Sequence, residues 1–281
     1  MTERNEEELV SVICVCWNHE EYIEQCLKSI LDQTFKNIEI IFIDNNSTDQ
    51  SFEIASKILK NSTIPYSLNK RNSNFGIANN LNFAVNLCKG KYVTSISTDD
   101  WLTNDSITKK VNYLEENTEF AMVSSDGYIY NQSRNETIPY IEKRAKTGYL
   151  FKDLLKDNFI FAIGVLIKLS VIKEVGLYDE ECPIEDWSMW LKISKNHQIG
   201  FIPEKLAYYR KHGNNFSGNF KKMKQVELDL LNKYKEYPET VIGKKNVRYR
   251  FYHYTILGAL SKLPFYYSTK NMFWNLHSKL S

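Results

Sequence analysis

A chain of 281 residues can bury one large core or a core with an appendage. Its 43% hydrophobic and 25% charged residues are those of a soluble globular protein. No apolar run approaches the ~18–20 residues of a membrane span, which argues against an integral membrane protein. The net charge of +2 hides an asymmetry, because residues 221–281 carry twelve Lys or Arg against four acids, a net of +8, and the remainder a net of −6.

The chain opens on an acidic, polar stretch unlike a signal peptide, "MTERNEEELV". "LVSVICVCW" then reads as a strand of the buried, parallel-sheet kind. Cys14 and Cys16 alternate along it as small apolar residues, and the five cysteines show no CxxC pairing. Neither a disulfide framework nor a zinc site is indicated, and a reducing, cytoplasmic location is expected.

"EEYIEQCLKSILDQT" has helical spacing, "NIEIIFID" is a second strand, and "DQSFEIASKILKN" a second helix. "IPYSLN" reads as a short third strand, "GIANNLNFAVNLC" as a third helix and "KYVTSIS" as a fourth strand. Repeated strand–helix–strand units predict a parallel, doubly wound α/β sheet.

Beyond it, "WLTNDSITKKVNYLEEN" predicts a fourth helix and "EFAMVSSDGYIYN" another strand. "NQSRNETIPYIEKRAKTG" is a polar loop or exposed hairpin, "YLFKDLLKDN" a short helix and "FAIGVLIK" a strand. "SVIKEVGLYDE" is a helix closed by Gly176, "EDWSMWLKISKNH" an amphipathic helix, and "IGFIPEKLAYYRKHG" the final strand. The composition turns basic near residue 220, which places the predicted boundary between a domain of residues 1–220 and a helical extension of residues 221–281.

In open α/β sheets, ligands sit outside the carboxyl ends of the strands. The first strand ends toward Asn18, the second at Asp44, and the fourth in "STDDW" with Asp99 and Asp100. Hard oxygen ligands at a strand tip suit Mg²⁺ or Mn²⁺ held together with substrate phosphates. Taken alone, the acidic pair could equally form a turn and helix cap. No G-x-G-x-x-G and no Walker-type loop is present, so bound phosphates need another counter-charge.

The stretch "VSVICVCWNHEEYIEQCLKSILDQTFKNIEIIFIDNNSTDQS" resembles the opening of family 2 glycosyltransferases, and "NSNFGIANNLNFAVNLCKGKYVTSISTDDWL" is similar to the stretch leading to their D-x-D-D motif. The resemblance covers roughly residues 9–215. It implies the GT-A fold, a Rossmann-like, mostly parallel α/β sheet flanked by helices. Asp44 and Asn18 would lie in the nucleotide pocket, and Asp99 and Asp100 would match the metal- and ribose-binding carboxylates. Two departures stand out: Ser97 replaces the first Asp of D-x-D-D, and Asn45 and Asn46 replace an Asp-Gly pair.

"CPIEDWSMWLKIS" looks like the family's E-D motif, which implies Asp186 as the base that deprotonates the acceptor hydroxyl, with Glu185 beside it contacting acceptor or donor sugar. Both could instead be first-turn acids that favour the helix dipole. "YYRKHGNNFS" resembles the family's R-x-H loop, implying Arg210 as a diphosphate clamp and His212 as a donor or third metal ligand. Arg71 is a further diphosphate candidate. Trp187, Trp190 and Tyr178 are candidates to stack on an acceptor sugar, with Trp190 equally readable as core. His19, His197, His253 and His277 have no partner that the sequence identifies.

The expected activity is inverting, metal-dependent transfer of a sugar from a nucleotide-diphosphate donor, UDP-linked by family habit, to a glycan hydroxyl, with Mn²⁺ or Mg²⁺ as cofactor. The basic, aromatic tail suits an anionic membrane surface, an outer helical face or, less well, nucleic acid, which is not expected as a partner. The acceptor would then be a lipid-linked oligosaccharide of bacterial surface-polysaccharide assembly, handled peripherally at the inner face of the plasma membrane. Rival readings are a non-catalytic nucleotide-sugar or glycan binder of the same fold, which Ser97 favours, and a sugar nucleotidyltransferase. The latter would carry a Gly-rich basic loop that "CWNHEEYIEQC" lacks.

Overall fold

The computed structural model describes residues 8–142, 144–213, 215 and 218–260. Two compact units are present, one running to Leu154 and resuming over Asn158–Asn215, the other comprising Leu155–Asp157 and the described residues from 218 to 260.

In the first unit, β1 (Val10–Cys16), α1 (Ile23–Leu31), β2 (Ile38–Asp44), α2 (Ser51–Lys60), β3 (Tyr66–Lys70), α3 (Ile77–Val85) and β4 (Tyr92–Ser97) alternate as expected. Every residue of β1 is buried, as an apolar strand covered on both faces requires. Ile23, Cys26, Leu27 and Ile30 of α1 and Ala55 and Leu59 of α2 join Val12, Cys14, Ile40 and Phe42 in one core. The five cysteines are free and buried.

The chain continues through β5 (Trp101–Leu102), α4 (Ser106–Glu116), β6 (Phe120–Asn131), β7 (Glu136–Tyr140), α5 (Phe151–Leu154), β8 (Leu166–Lys168), α6 (Leu169–Glu174), α7 (Glu185–Ser194) and β9 (Gln198–Lys211). The strands form one sheet in the order β3-β2-β1-β4-β8-β6-β9-β5, with β7 paired to β6. The β1, β2, β3 and β4 pairings are parallel, whereas β8 runs antiparallel between β4 and β6. The sheet is therefore mixed rather than wholly parallel.

The helix predicted to start at "WLTND" begins only at Ser106, because Trp101 and Leu102 pair with Tyr208 and Ala207 of β9. The polar 131–148 segment includes a hairpin, with β7 on the far half of β6. Gly127 sits where this hairpin starts, and a Cβ there would fall 2.2 Å from the Phe161 ring, so only glycine fits. Gly176 ends α6 at φ +83, its N–H on the Lys173 carbonyl and the Leu177 N–H on that of Ile172.

In the second unit, α8 (Phe220–Asn232) packs on α9 (Glu239–Leu260). Arg250 of α9 pairs with Glu227 at 2.7 Å and with Asp157, and Asn246 donates to the Lys156 carbonyl at 3.0 Å. The outer stripe of α9 exposes Val241, Ile242, Lys245, Arg248, Tyr249 and Tyr252. Among the described residues, no helix is long and apolar enough to cross a membrane. Residues 261–281, the end of the basic and aromatic tail with His277, lie outside the described residues.

Candidate active site

The sheet order reverses between β1 and β4: β2 and β3 extend from one side of β1, and β4 starts the other. This switch point opens a crevice at the carboxyl ends of those strands, and the polar residues that close them gather there.

Asp44, the last residue of β2, is fully buried. Its Oδ2 accepts from the Ser47 N–H at 3.1 Å, while Oδ1 has no partner within the protein. Asn18 and Asn46 both adopt left-handed φ, at 56° and 64°. Asn tolerates that region better than most residues, so Asn46 does what a glycine would do in the turn after β2. Asn45 uses both ends of its amide, donating to Asn74 Oδ1 at 2.9 Å and accepting from the Phe75 N–H at 3.0 Å. Asn18 Oδ1 accepts from the Thr48 N–H at 2.8 Å, and its own N–H donates to Ser47 Oγ. Asn18 and Asp44 are thus brought together through Ser47.

Asp99 and Asp100 follow β4 and are both buried, with clearly different surroundings. Asp99 Oδ2 lies 3.0 Å from His212 Nε2, and Oδ1 is buried without a partner. Burial raises the Asp99 carboxyl, but the hydrogen bond from His212, the nearby His19 and the Ser97 hydroxyl outweigh it and hold the group below its ordinary range. Asp100 Oδ1 accepts the Arg210 backbone N–H at 2.8 Å, and burial together with the Asp99 charge pushes its carboxyl well up. The two carboxylates that the sequence leaves interchangeable are thus distinguished, with Asp99 ionised beside a histidine and Asp100 inclined to hold a proton.

Arg210 is nearly buried. Its Nε donates to the Asp99 carbonyl at 2.8 Å, its Nη2 donates to Gln25 of α1, and its guanidinium lies 4.6 Å from the Trp101 ring centroid and 4.9 Å from that of Tyr22. Trp101 in turn stacks on Tyr208, and Tyr208 on Tyr128, each at 4.6 Å. Arg210 is consequently a brace under the carboxylates, with its Nε and Nη2 donors already committed to the protein. Arg71 lies apart from this cluster, its guanidinium 4.3 Å from the Phe83 ring and 4.6 Å from Phe75, donating to Asn79 at 2.9 Å.

Glu185 and Asp186 open α7 and line a cavity of about 100 Å³ with Ser95 and Ser97 of β4. The residue in place of the first motif Asp lies between the two groups, since its hydroxyl helps to hold the Asp99 carboxyl down and its position borders the Glu185–Asp186 cavity. Burial, and then the Asp186 charge, push Glu185 up to about 8, and burial also raises Asp186, whose Oδ1 accepts the Trp187 N–H at 2.6 Å. Trp187 requires a correction. It is 1% exposed and its indole N–H donates to the Leu154 carbonyl at 3.0 Å, so it is core and presents no face to a sugar.

Several site residues escaped the sequence reading. His19 lies beside the carboxylates, its Nδ1 2.9 Å from Thr98 Oγ1 and its ring at an edge to that of His212, and burial lowers its pKa. Gln25 and Asn215 are the others, the latter accepting the His212 N–H at 2.6 Å. The one signal for His19 was its place next to Asn18; Gln25 looked like an ordinary helix residue.

The fold and the chain have clear relatives. Residues 11–176 match the profile described as Glycosyl transferase family 2. An uncharacterized glycosyltransferase of Haemophilus influenzae is 32% identical over 222 residues, 74% of this chain and 67% of that protein. An Escherichia coli protein described as UDP-Glc:alpha-D-GlcNAc-diphosphoundecaprenol beta-1,3-glucosyltransferase WfaP is 29% identical over 75% of this chain and 81% of its own length. Among solved structures, Staphylococcus aureus TarS 1–349 in complex with UDP-GlcNAc superposes with a TM-score of 0.64 at 18% identity. That match covers 79% of this chain and 65% of TarS 1–349. The mannosyltransferase PcManGT from Pyrobaculum calidifontis, in complex with GDP-Man and Mn²⁺, gives 0.66 at 14% identity over 95% of this chain and 79% of that one. At these identities the two structures establish the GT-A fold.

Proposed function

From the premise that the chain belongs to glycosyl transferase family 2 and has the GT-A fold, we propose that it transfers a sugar from a UDP-linked donor to a hydroxyl of a lipid-linked glycan, with inversion at the anomeric carbon. The observation that carries the reading is the position of Ser97. Two residues from Asp99 on the same strand tip, it borders the cavity of Glu185 and Asp186, so a diphosphate at one end would set the sugar it carries before a carboxylate at the other.

In this reading the Asp44 carboxylate, with Oδ1 unpartnered, accepts from the nucleotide base, and Asn18 shapes the same pocket. Asp99 and His212 fit a divalent cation. They would hold it as a hard carboxylate beside an imidazole, and Asp99 Oδ1 has no competing partner within the protein. Among the described residues no group of three His, Cys, Asp or Glu is placed to hold a metal ion, so substrate oxygens would have to supply the further donors. Bound there, Mn²⁺ or Mg²⁺ would offset the charge of the leaving diphosphate. Arg210 keeps Asp99 and Asp100 in place, and Asp186 takes the proton of the attacking hydroxyl. Glu185, protonated toward neutral pH, can donate a hydrogen bond to a sugar oxygen.

The acceptor class rests on WfaP, whose described acceptor is diphosphoundecaprenol-linked, and on the α9 stripe of two aliphatic, two cationic and two tyrosine side chains. Such a stripe suits an anionic bilayer surface. Calorimetric titration of UDP with and without Mn²⁺, on the native protein and Asp99→Asn, tests the donor side. Metal-dependent binding that the substitution abolishes is expected; equal binding without metal would end the cation assignment. Sedimentation with anionic vesicles tests the surface, and a Lys245→Glu/Arg248→Glu protein that still sediments at low salt would remove α9 from the account.

A further inference from the structure

His19 stands among the polar residues at the strand tips with one ring nitrogen committed and the other not. Its backbone N–H donates to Ser51 Oγ at 2.8 Å, which fixes the chain directly after Asn18, and its Nδ1 lies 2.9 Å from Thr98 Oγ1. Thr98 is fully buried, so its hydroxyl proton needs an acceptor inside the protein, and Nδ1 is at hydrogen-bond distance. That assigns the ring proton of a neutral imidazole to Nε2. Nε2 has no hydrogen-bond partner among the described residues. The half-buried ring stands against those of Tyr22 and His212, with centroids 5.9 and 6.4 Å away, and Asp99 is the largest charge acting on it.

An N–H fixed in this place calls for an acceptor, and the crevice beside Asp99 is where the glycosyl-transfer reading puts the diphosphate of the donor. The arginines first expected to hold it are poorly disposed to do so. Arg210 spends its Nε and Nη2 donors on the Asp99 carbonyl and Gln25, and Arg71 lies apart between Phe75 and Phe83. We infer that His19 donates from Nε2 to a non-bridging oxygen of the nucleotide's diphosphate. The inference rests on the glycosyl-transfer reading and deepens it on the donor side. In the tautomer that Thr98 selects, the ring carries no charge, so it orients the diphosphate while the charge balance is left to the cation. When the anomeric carbon–oxygen bond breaks, its electron pair goes to the phosphate oxygen and the negative charge of the diphosphate grows. A hydrogen bond to that group therefore strengthens toward the transition state.

The test titrates UDP by calorimetry and uridine by NMR, both with saturating Mg²⁺, against the native protein, His19→Asn and His19→Gln. Asparagine keeps an acceptor for Thr98 near the place of Nδ1 and has no atom where Nε2 stood, whereas glutamine reaches that place with an N–H. Loss of a hydrogen bond to a charged group should weaken UDP about 10- to 100-fold in His19→Asn, with uridine held within about twofold. His19→Gln should keep UDP within about fivefold of the native protein. Equal UDP affinity in all three proteins overturns the inference and leaves the transferase reading standing. A loss as large in His19→Gln as in His19→Asn also overturns it, as does a loss of uridine parallel to that of UDP, since either would mark a disturbed pocket. One measurement needs no variant: in the native protein the imidazole ¹⁵N signals of His19 must show a proton on Nε2, and that nitrogen must respond to UDP and not to uridine. A proton on Nδ1, or an Nε2 indifferent to UDP, overturns the inference. If UDP does not bind the native protein, the transferase reading fails by itself and inorganic pyrophosphate with Mg²⁺ takes its place. Weaker pyrophosphate binding by His19→Asn then supports the contact, and equal or absent binding overturns it.

Discussion

Lys110 offers a stability experiment whose sign can be fixed in advance. It lies on the inward face of α4, 1% exposed, and its ammonium group has the Ser106 hydroxyl 2.9 Å away and Asp105 as its helpful charge. Burial lowers its pKa from 10.5 to about 7. The unfolded chain keeps this proton up to about pH 10.5 and the folded protein releases it above about 7, so the unfolded state binds more protons between those limits. Stability must then rise with pH across that window, at up to about 1.4 kcal/mol per pH unit. The cost of neutralising the lysine is about 4 kcal/mol at pH 7 and about 1 kcal/mol at pH 9.5. Lys110→Met keeps the aliphatic stem without the charge. Urea unfolding of both proteins at pH 7 and 9.5, followed by tryptophan fluorescence, should show the variant's relative advantage shrinking by about 3 kcal/mol at the higher pH. A difference between the two proteins that is the same at both pH values would refute the reasoning, because it would mean that Lys110 is charged in the folded core.

Glu185 titrates in the opposite sense: its carboxyl is pushed up to about 8, so its contribution falls as pH rises from about 4.5 to 8, and Glu185→Gln should flatten that fall in urea titrations. Asp186→Asn should lose transfer by a factor of about 10² or more while UDP binding by calorimetry stays within twofold; full transfer by this variant would remove the base assignment. Trp187→Phe strands the Leu154 carbonyl and should lower stability by about 1–3 kcal/mol without changing sugar affinity, read by thermal unfolding and titration together. Gly127→Ala places a methyl against Phe161 and should cost about 1–3 kcal/mol; an unchanged melting temperature would show that the hairpin yields freely.

Much of the frame was legible because it depends on local pattern. The buried run of β1, the helical spacing of α1 and α2 and the polar strand tips at Asn18, Asp44 and Asp99 are all properties of short windows. The order of β8, β6 and β9 was not, since pairing between strands distant in sequence leaves no local trace. Trp101 shows the same limit, because a residue that reads as a helix start becomes a strand through its pairing with Tyr208. At the site, residue types pointed to the carboxylates, but which of them carries charge depends on His212 and Arg210, more than a hundred residues away. Trp187 and Trp190 share a helix and a residue type, and only the position of the Leu154 carbonyl separates a satisfied indole from an unsatisfied one.

Arg210 has a consequence for the order in which the protein becomes competent during synthesis. Its backbone N–H satisfies Asp100, its side chain holds the Asp99 carbonyl, and its far end reaches Gln25, so one residue of β9 closes a loop of about 185 positions. A nascent chain that has emerged only as far as α7 already contains Asp44, Asp99 and Asp186. It lacks the residue that satisfies and orients the central pair, and His212 is missing as well. The Asp99–Asp100 pair would therefore take its final form in a late step, when the last strand of the sheet is threaded between β6 and β5.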